Sequence, residues 1–340
     1  MKNNVAPNEL STEMKASMRT RIISAIVGIV IVVPLLFMGD FFFFALMGAI
    51  TIIGTYEIVH CAKKKYNPAL YIVAIVFALL LTYWPMIATL PKYFGSNAEI
   101  SYTNWHLFGA FDRLYIAIAI VALGAFGLFF MVIIDKGFTV RDACFMFTMI
   151  FIITVGLQSA LYLRYLPSLK YHELFGMPET YFNLYDNLES ALLIVYVLIG
   201  TFMTDAGAYF VGVFFGKHKM NPRISPKKTW EGFIGGILIS TIVSLGFALI
   251  FAACKHPLVY GILDLEHWYL ILVLSLIIPL VSTLGDFVFS CAKRHFEIKD
   301  FGNLIPGHGG ILDRIDSVIF SVITTAVFLE TYQYWMALVK

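Results

Sequence analysis

The sequence predicts an all-α, polytopic membrane protein with about nine transmembrane helices. Of its 340 residues, 59% are hydrophobic and 14% are charged, whereas soluble domains carry about 25% charged residues. Apolar stretches of about 20 residues, the length that crosses the hydrocarbon core, recur along the whole chain. We expect these stretches to be helices, because lipid offers no hydrogen-bond partner for an unpaired backbone group.

The elements follow in order from the apolar pattern. The polar first twenty residues (1–20) are expected to form a cytoplasmic tail, because the apolar run after them exceeds the roughly 7–15 residues of a signal sequence. Five spans and their external loops are expected within residues 21–189, and four spans with cytoplasmic active-site loops within residues 190–340. The nine predicted spans cover residues 21–39, 41–62, 69–91, 114–134, 141–165, 190–215, 231–254, 268–290 and 312–337.

The distribution of Lys and Arg predicts the orientation of these spans. If the N-terminus is cytoplasmic, 18 of the 24 basic residues lie on the cytoplasmic side and six lie towards the other side. Cytoplasmic loops carry such an excess of positive charge. The sequence therefore predicts a cytoplasmic N-terminus and an external C-terminus.

Charge and cysteine content exclude other classes of protein. The net charge of +2 is too small to indicate binding to nucleic acid. The four cysteines lie in or beside apolar spans and form no CxxC pair. We therefore expect them to be buried, small hydrophobic residues rather than metal ligands or disulfide partners.

One carboxylate falls inside a predicted span. Asp205 lies late in the sixth span, where an acidic side chain costs about 2.5–3.5 kcal/mol and usually faces a partner or water. It could support an active site, or it could support only helix packing. Gly207 and Gly212, on the same span, would permit close approach of another helix.

The loop before the seventh span has several means of holding phosphate. Lys227 and Lys228 carry positive charge, Ser225 and Thr229 carry hydroxyl groups, and a helix begins near Thr229. The free N–H groups and the dipole of a helix N-terminus favour anions. A basic loop that only sets topology is the alternative.

A polar segment, Ser290–Ser317, separates the last two spans. Asp286, Ser290 and Lys293 lie four and three residues apart and would share one helix face, as would Asp313 and Asp316. Asp286 and Asp313 could together hold a divalent cation, since Mg²⁺ takes one or two protein carboxylates and completes its shell with phosphate and water.

The remaining polar residues of this segment suit phosphate binding. Further positive charge is available from Lys293, Arg294, Lys299 and Arg314. The turn around His308, Gly309 and Gly310 could present backbone N–H groups to an anion. Asp300 and Asp316 fit equally well as partners of Lys or Arg that shape the loop, and His308 alone would suit a structural hydrogen bond.

These residues carry a resemblance to a known family. The pattern Ser-x2-Lys-Arg-x4-Lys-Asp-x-Gly-x3-Pro-Gly-His-Gly-Gly-x2-Asp-Arg-x-Asp-Ser over residues 290–317 resembles the signature of the phosphatidate cytidylyltransferases, or CDP-diacylglycerol synthases. The runs Ser225–Gly232 and Asp205–Tyr209 are similar to other shared segments of that family, in the same order. Ala292 departs from it, because the family usually carries a larger aliphatic residue there.

The resemblance implies an activity and its partners. The reaction would be CTP + phosphatidate → CDP-diacylglycerol + pyrophosphate, in a homodimeric enzyme of the plasma membrane whose active site faces the cytoplasm. It implies two Mg²⁺ ions and allows for a K⁺ requirement. The implied metal ligands are Asp286 and Asp313, which would act in catalysis with Lys293 and Lys299. The implied substrate-binding residues are Ser225, Lys227, Lys228, Thr229, Ser290, Arg294, His308, Gly309, Gly310 and Arg314, supported by Asp205, Asp300 and Asp316.

Other functions fit the sequence less well. A related membrane lipid cytidylyltransferase or kinase would not need the full string of charged residues in Ser290–Ser317. An ion-coupled transporter is compatible with Glu57, Asp205 and Asp286 inside spans. Transport carboxylates, however, lie near the bilayer midplane between structural repeats, whereas the charges here cluster at one face.

Overall fold

The computed structural model describes residues 12–87, 110–175 and 185–339. Within these ranges the chain forms nine helices and one short two-stranded sheet. In chain order they are Thr12–Met38 (α1), Asp40–Cys61 (α2), Pro68–Ile87 (α3), Ala110–Ile134 (α4), Val140–Phe175 (α5), Tyr185–Phe215 (α6), Lys219–Asn221 (β1), Ser225–Thr229 (β2), Trp230–Ala253 (α7), Trp268–His295 (α8) and Leu312–Val339 (α9).

Each predicted span coincides with one of these helices within the described residues, but several helices extend beyond the predicted span. Helix α1 begins at Thr12, within the segment predicted as a tail, α5 continues to Phe175, and α8 continues to His295. Hydropathy marks where a chain leaves the hydrocarbon, and a helix can continue past that point. The extension of α8 matters most, because it carries Lys293 and Arg294. The second predicted external loop is shortened from both sides, because α5 continues to Phe175 and α6 begins at Tyr185. Residues 88–109 and 176–184 of the two external loops lie outside the described residues.

The described helices make this a multi-pass membrane protein. Seven of them are long and apolar enough to cross a membrane, and α3 contains a shorter apolar stretch, Pro68–Trp84. Helix α9 is not among the seven and begins with the charged residues Asp313, Arg314 and Asp316. Many apolar side chains point outward, such as Ile133 and Phe126, as expected of surfaces in contact with lipid.

A β-hairpin interrupts the helical fold before α7. Strands β1 and β2 pair antiparallel, with Lys219 opposite Thr229 and Asn221 opposite Ser225. Because the apolar pattern contains no signal for so short a polar hairpin, the all-α prediction missed it. The Thr229 hydroxyl accepts a hydrogen bond from Gly232 N at 3.2 Å, so the hairpin leads directly into the capped N-terminus of α7, as the sequence predicted.

Glycines bring α6 and α7 into close contact. A Cβ added at Gly207 would lie 3.2 Å from Gly236 Cα, and one added at Gly236 would lie 2.8 Å from Thr204 O. Gly212 likewise faces the Thr229 side chain. The expectation that Gly207 and Gly212 permit close helix approach is therefore confirmed, and small residues serve this purpose widely in membrane helices.

Hydroxyl groups join α6 to its other neighbours. Ser240 donates to Gly200 O at 2.6 Å, and Thr201 donates to Ser321 Oγ at 2.8 Å. Such hydrogen bonds contribute on the order of 1 kcal/mol between membrane helices. They connect α6 to α7 and α9, and so stabilise the group of helices that carries the predicted site.

The prediction for the cysteines was correct for one residue and wrong for three. Cys61 is buried, but Cys144, Cys254 and Cys291 are exposed. An apolar span in a bilayer can place a small hydrophobic residue on its lipid-facing surface, so burial did not follow from the pattern. All four thiols are free.

Candidate active site

Carboxylates from three helices approach one another where the C-terminal ends of α6 and α8 meet the N-terminal end of α9. Asp205, on α6, interacts electrostatically with Asp286, on α8, and both interact with Asp316, on α9. Like charges this close need cations between them. The structure therefore joins three acidic residues that lie far apart in the sequence.

Lys228 provides one of these cations. Its amino group forms an ion pair with Asp286 Oδ2 and lies 4.7 Å from the centre of the Phe287 ring. Ser290 Oγ donates to the other oxygen of Asp286 at 3.3 Å, as expected for residues one helical turn apart. Asp286 is about a quarter exposed, so a ligand can reach it.

Lys293 provides the second cation and is itself buried. Its amino group lies 3.0 Å from Asp313 Oδ1 and 3.6 Å from Asp316 Oδ2. A buried ammonium group is tolerated only when it is paired, so the two carboxylates at the start of α9 hold this side chain. We refer to Lys228, Asp286, Lys293, Asp313 and Asp316 together as the ion-pair crevice.

Asp313 also organises the loop that precedes α9. Its Oδ2 atom accepts hydrogen bonds from Phe301 N at 2.8 Å and from Gly310 N at 3.0 Å, and its side chain is almost fully buried. Asp313 thus joins both ends of the loop to α8 through Lys293. A metal ion bound by Asp313 would have to take the place of Lys293 at Oδ1.

The hairpin sends its side chains in opposite directions. Successive residues of a strand point to opposite faces, and here Lys228 reaches Asp286 whereas Lys227 is exposed. Ser225 is half-buried, while Thr229 is buried against α6 and caps α7. Of the predicted phosphate-binding residues in this loop, the structure brings Lys228 alone into contact with the acidic cluster.

Arg294 ties the hairpin to the end of α8. Its Nε atom donates to Ile224 O at 3.3 Å, and its Nη1 atom donates to Ile298 O at 3.2 Å. Two of its N–H groups are therefore used within the protein. These bonds hold the hairpin beside α8, while the rest of the guanidinium group can still meet a phosphate.

A second part of the site is a cavity of about 490 Å³ beside the crevice. Lys299, Asp300, His308, Gly309 and Arg314, all predicted site residues, come together in its wall. The complete lining is Arg21, Lys299, Asp300, Asn303, Ile305, Pro306, Gly307, His308, Gly309 and Arg314. We refer to this space as the basic cavity.

The backbone of the glycine turn is closed on itself. Both His308 N and Gly309 N donate to Ile305 O, and Gly310 N donates to Asp313. Gly307 and Gly309 adopt positive φ angles of 75° and 85°, which explains why glycine stands there. A role for these N–H groups as anion donors would require the internal bonds to be replaced.

His308 connects the turn to α1. Its Nδ1 atom lies 2.7 Å from Ser24 Oγ. Burial and the positive charges of Arg314 and Arg21 lower the pKa of His308 below its ordinary value. The imidazole is therefore neutral at neutral pH, and the positive charge of the cavity comes from Arg21, Lys299 and Arg314.

Sequence reasoning missed two residues that the structure brings to this region. Arg21, on α1, lines the basic cavity, but in the sequence it is one of several basic residues that precede a span. Glu57, on α2, accepts hydrogen bonds from Ile311 N and Leu312 N. The prediction considered Glu57 only as an intramembrane carboxylate, and no local pattern indicates a partner more than 250 residues away.

The acidic residues suit a magnesium ion by their chemistry. No group of three or more His, Cys, Asp or Glu side chains forms a metal site in the described part of the chain. Mg²⁺ does not need such a group, because one or two carboxylates suffice when phosphate oxygens and water complete the shell. Asp286 and Asp313 each bind a lysine that a metal ion could replace, so the chemistry of each carboxylate suits the ion that the resemblance implies.

A family model and several relatives match this chain. The model described as the cytidylyltransferase family matches residues 19–332. The chain is 30% identical over 304 residues to the phosphatidate cytidylyltransferase of Staphylococcus epidermidis, and 27% identical over 303 residues to that of Staphylococcus aureus. Each of these alignments covers 89% of this chain and 95% of the relative.

Another relative has a higher sequence identity to this chain over a shorter alignment. The chain is 44% identical over 147 residues to the phosphatidate cytidylyltransferase of Bacillus subtilis. That alignment covers 43% of this chain and 51% of the relative, so it spans about half the length of the Bacillus protein. The identity is thus higher over a limited segment than over the full staphylococcal alignments.

Proposed function

The chain belongs to the cytidylyltransferase family, and from this premise we propose that it is a phosphatidate cytidylyltransferase. It would transfer CMP from CTP to phosphatidate, giving CDP-diacylglycerol and pyrophosphate in phospholipid biosynthesis. One observation carries the proposal: the ion-pair crevice and the basic cavity lie together at one end of a group of membrane helices. Relatives that align with 89% of the chain bear the same enzyme name.

The reaction needs charge neutralisation and positioning more than it needs a protein nucleophile. A phosphate oxygen of phosphatidate forms a bond to the α-phosphorus of CTP. The bond from that phosphorus to the oxygen bridging to the β-phosphate breaks, and its electron pair leaves with pyrophosphate. The nucleophile is already anionic at neutral pH, so no activated serine or strong base is required.

The residues of the crevice suit these requirements. Asp286 and Asp313 would hold Mg²⁺, which would supply positive charge beside the phosphates of CTP. Lys228 and Lys293, now paired with these carboxylates, would bind the nucleotide phosphates. Ser290 orients Asp286 through its hydrogen bond. Asp205 and Asp316 would support the crevice by keeping the lysines charged and directed inward.

The other predicted residues surround this centre. On the side of the basic cavity, the substrates would be bound by Lys299, Arg314 and His308. Gly309 and Gly310 would shape the wall of the cavity, and Asp300 would complete it. On the hairpin side, the residues that would contact or support the substrates are Ser225, Lys227, Thr229 and Arg294.

The membrane arrangement suits one lipid and one water-soluble substrate. We propose nine spans with a cytoplasmic N-terminus and an external C-terminus, which puts the site where CTP is available. The bacterial relatives support a location in the plasma membrane. The phosphatidate head group would then enter at the interface while its acyl chains stay in the bilayer.

Three finer properties follow from the family resemblance. We propose that two Mg²⁺ ions act in the site, that K⁺ supports activity, and that the enzyme is a homodimer. Titration of Mg²⁺ and replacement of K⁺ by Na⁺ in the activity assay test the first two. Light scattering of the purified protein, corrected for bound detergent, tests the third by giving the mass of the protein component.

The activity itself is tested with purified protein and radiolabelled CTP, with phosphatidate present or absent. We expect label to enter the organic phase as CDP-diacylglycerol only when phosphatidate and Mg²⁺ are both present, with an equal amount of pyrophosphate released. Asp286→Asn serves as the matched inactive variant. If label enters lipid equally without phosphatidate, or enters only with a polyprenol, the proposed substrate is wrong.

A further inference from the structure

The basic cavity is lined by three cationic side chains. Among the described residues, no salt bridge joins Arg21, Lys299 or Arg314 to a carboxylate. Asp300 lines the same cavity, so cations outnumber carboxylates there by three to one. The lysines of the ion-pair crevice, in contrast, are each held by an acidic side chain. The two halves of the site therefore differ in the ligand they suit.

Arg21 comes from a helix with little contact to the rest of the protein. Only 6% of the residues in the apolar segment of α1 are buried. Ile22, Ile23 and Ile26 are each at least half exposed. Arg21 thus lies at the boundary between the lipid-facing surface of α1 and the basic cavity. A charged group bound there could belong to a molecule whose apolar part follows α1 into the bilayer.

Two contacts fix α1 to the wall of the cavity. The stem of Arg21 packs over Gly307, where an added Cβ would lie only 2.9 Å from Arg21 Cγ. One turn later, Ser24 Oγ lies 2.7 Å from Nδ1 of His308. The position of Arg21 in the cavity is therefore set by contacts with the loop that also carries Lys299.

We propose that Arg21, with Lys299 and Arg314, binds the phosphate of the lipid substrate. The inference rests on the proposed function and assigns the phosphates of the two substrates to different halves of the site. A phosphomonoester needs cations and no metal-binding carboxylate, which suits the basic cavity. A nucleotide triphosphate that arrives with Mg²⁺ needs both cations and carboxylates, which suits the crevice.

Arg314 lies where the two halves meet. It lines the basic cavity, interacts electrostatically with Asp205, and follows Asp313 in the sequence. A lipid phosphate held by Arg314 would therefore lie next to the nucleotide phosphates, as attack on the α-phosphorus requires.

The test separates the Michaelis constants of the two substrates in mixed micelles. Arg21→Gln should raise the KM for phosphatidate, expressed as mole fraction, about tenfold or more, because it removes a charge-assisted interaction. The KM for CTP should stay unchanged. Arg21→Lys should recover part of the affinity, since lysine keeps the charge but loses the planar fork.

The matched control is Arg141→Gln, which removes an exposed arginine at the same end of the helices and outside the cavity. It should leave both constants unchanged. An unchanged KM for phosphatidate in Arg21→Gln, a raised KM for CTP, or a loss in kcat alone would each overturn the inference.

Two further outcomes are distinguishable. If Arg21→Gln does not fold, Arg21→Lys carries the test, and unchanged constants in that variant overturn the inference. If the wild-type protein shows no phosphatidate-dependent CMP transfer, it is the proposed function that fails, and the inference fails with it.

Discussion

The carboxylate of Glu57, in the second helix, caps the last helix by accepting a hydrogen bond from Leu312 N. The distance is 2.9 Å, and Ile311 N donates to the other carboxylate oxygen at 2.9 Å. Glu57 is 4% exposed, and a Cβ added at Gly310 would lie 2.5 Å from its Oε1 atom. Since the capped turn carries Asp313 and Arg314, the N-terminal helices take part in positioning the site.

Removal of this cap should destabilise the protein. Glu57→Ala leaves the buried N–H group of Leu312 and the part-buried N–H group of Ile311 without this partner. We therefore expect a loss of about 2–4 kcal/mol in the free energy of unfolding. Glu57→Gln should cost less, because its amide oxygen can still accept one of the two hydrogen bonds. Denaturation of the purified protein in detergent, followed by circular dichroism, measures both losses.

A surface glutamate provides the control for this comparison. Glu266 is exposed in the loop before α8, and Glu266→Ala should change stability by no more than about 0.5 kcal/mol. If Glu57→Ala is no less stable than Glu266→Ala, the cap does not contribute to stability as the geometry indicates.

The two proposed metal ligands should respond differently to the same substitution. Asp286→Asn breaks an ion pair whose two side chains are each about a quarter exposed, and it should cost about 1 kcal/mol or less. Asp313→Asn leaves the buried Lys293 without its nearest carboxylate and should cost about 3–5 kcal/mol. Both variants should lose at least about a hundredfold in CMP transfer. Denaturation curves and turnover at saturating Mg²⁺ measure the two effects separately.

A different outcome would contradict the prediction for each of the two variants. Near-normal turnover in Asp286→Asn would remove its metal role, whatever its stability. A thermal midpoint equal to that of wild type in Asp313→Asn would show that Asp313 does not organise the loop. Because Asp313 has buried contacts that Asp286 lacks, we expect only Asp286→Asn to lose activity while the fold stays intact.

Close packing of α6 on α7 gives a further prediction with an internal control. A Cβ at Gly236 would lie 2.8 Å from the backbone oxygen of Thr204. Because backbone atoms cannot move aside without a cost in energy, Gly236→Ala should destabilise the protein by about 1–3 kcal/mol. Gly246, on the same helix, has no atom within 4 Å of an added Cβ. Gly246→Ala should therefore be neutral or stabilise by up to about 1 kcal/mol, from helix propensity.

Denaturation of the two glycine variants under identical conditions measures the difference. Equal stabilities would contradict the close contact between α6 and α7. A destabilised Gly246→Ala would show that this face of α7 is occupied in the protein, for instance at an interface with a second copy of the chain.

Much of the fold could be predicted because lipid imposes a simple rule on sequence. Each apolar stretch of sufficient length corresponds to a helix among the described residues. Hydropathy did not predict the extension of α8 to His295, since polar residues neither require nor prevent a helix outside the hydrocarbon. The shared helix face expected for Asp286, Ser290 and Lys293 was its only sign in the sequence. The hairpin before α7 was missed for a related reason, because its polar sequence resembles any water-exposed loop.

The site could be predicted in part. Spacing placed Asp286 and Ser290 on one face of α8, and the hydrogen bond between them agrees with it. Spacing along one helix cannot, however, show contacts between helices. The approach of Asp205 to Asp286, the cap from Glu57 and the entry of Arg21 into the cavity all depend on how distant segments pack.

The orientation of the chain gives the last prediction. Lys136 is exposed in the loop before α5, at the end that carries the site, and Glu266 is exposed at the opposite end. In a background in which the four native cysteines are replaced, Glu266→Cys should react with an impermeant thiol reagent added to whole cells. Lys136→Cys should react only after permeabilisation. The reverse pattern would put the site outside the cell, away from CTP, and would contradict both the orientation and the proposed reaction.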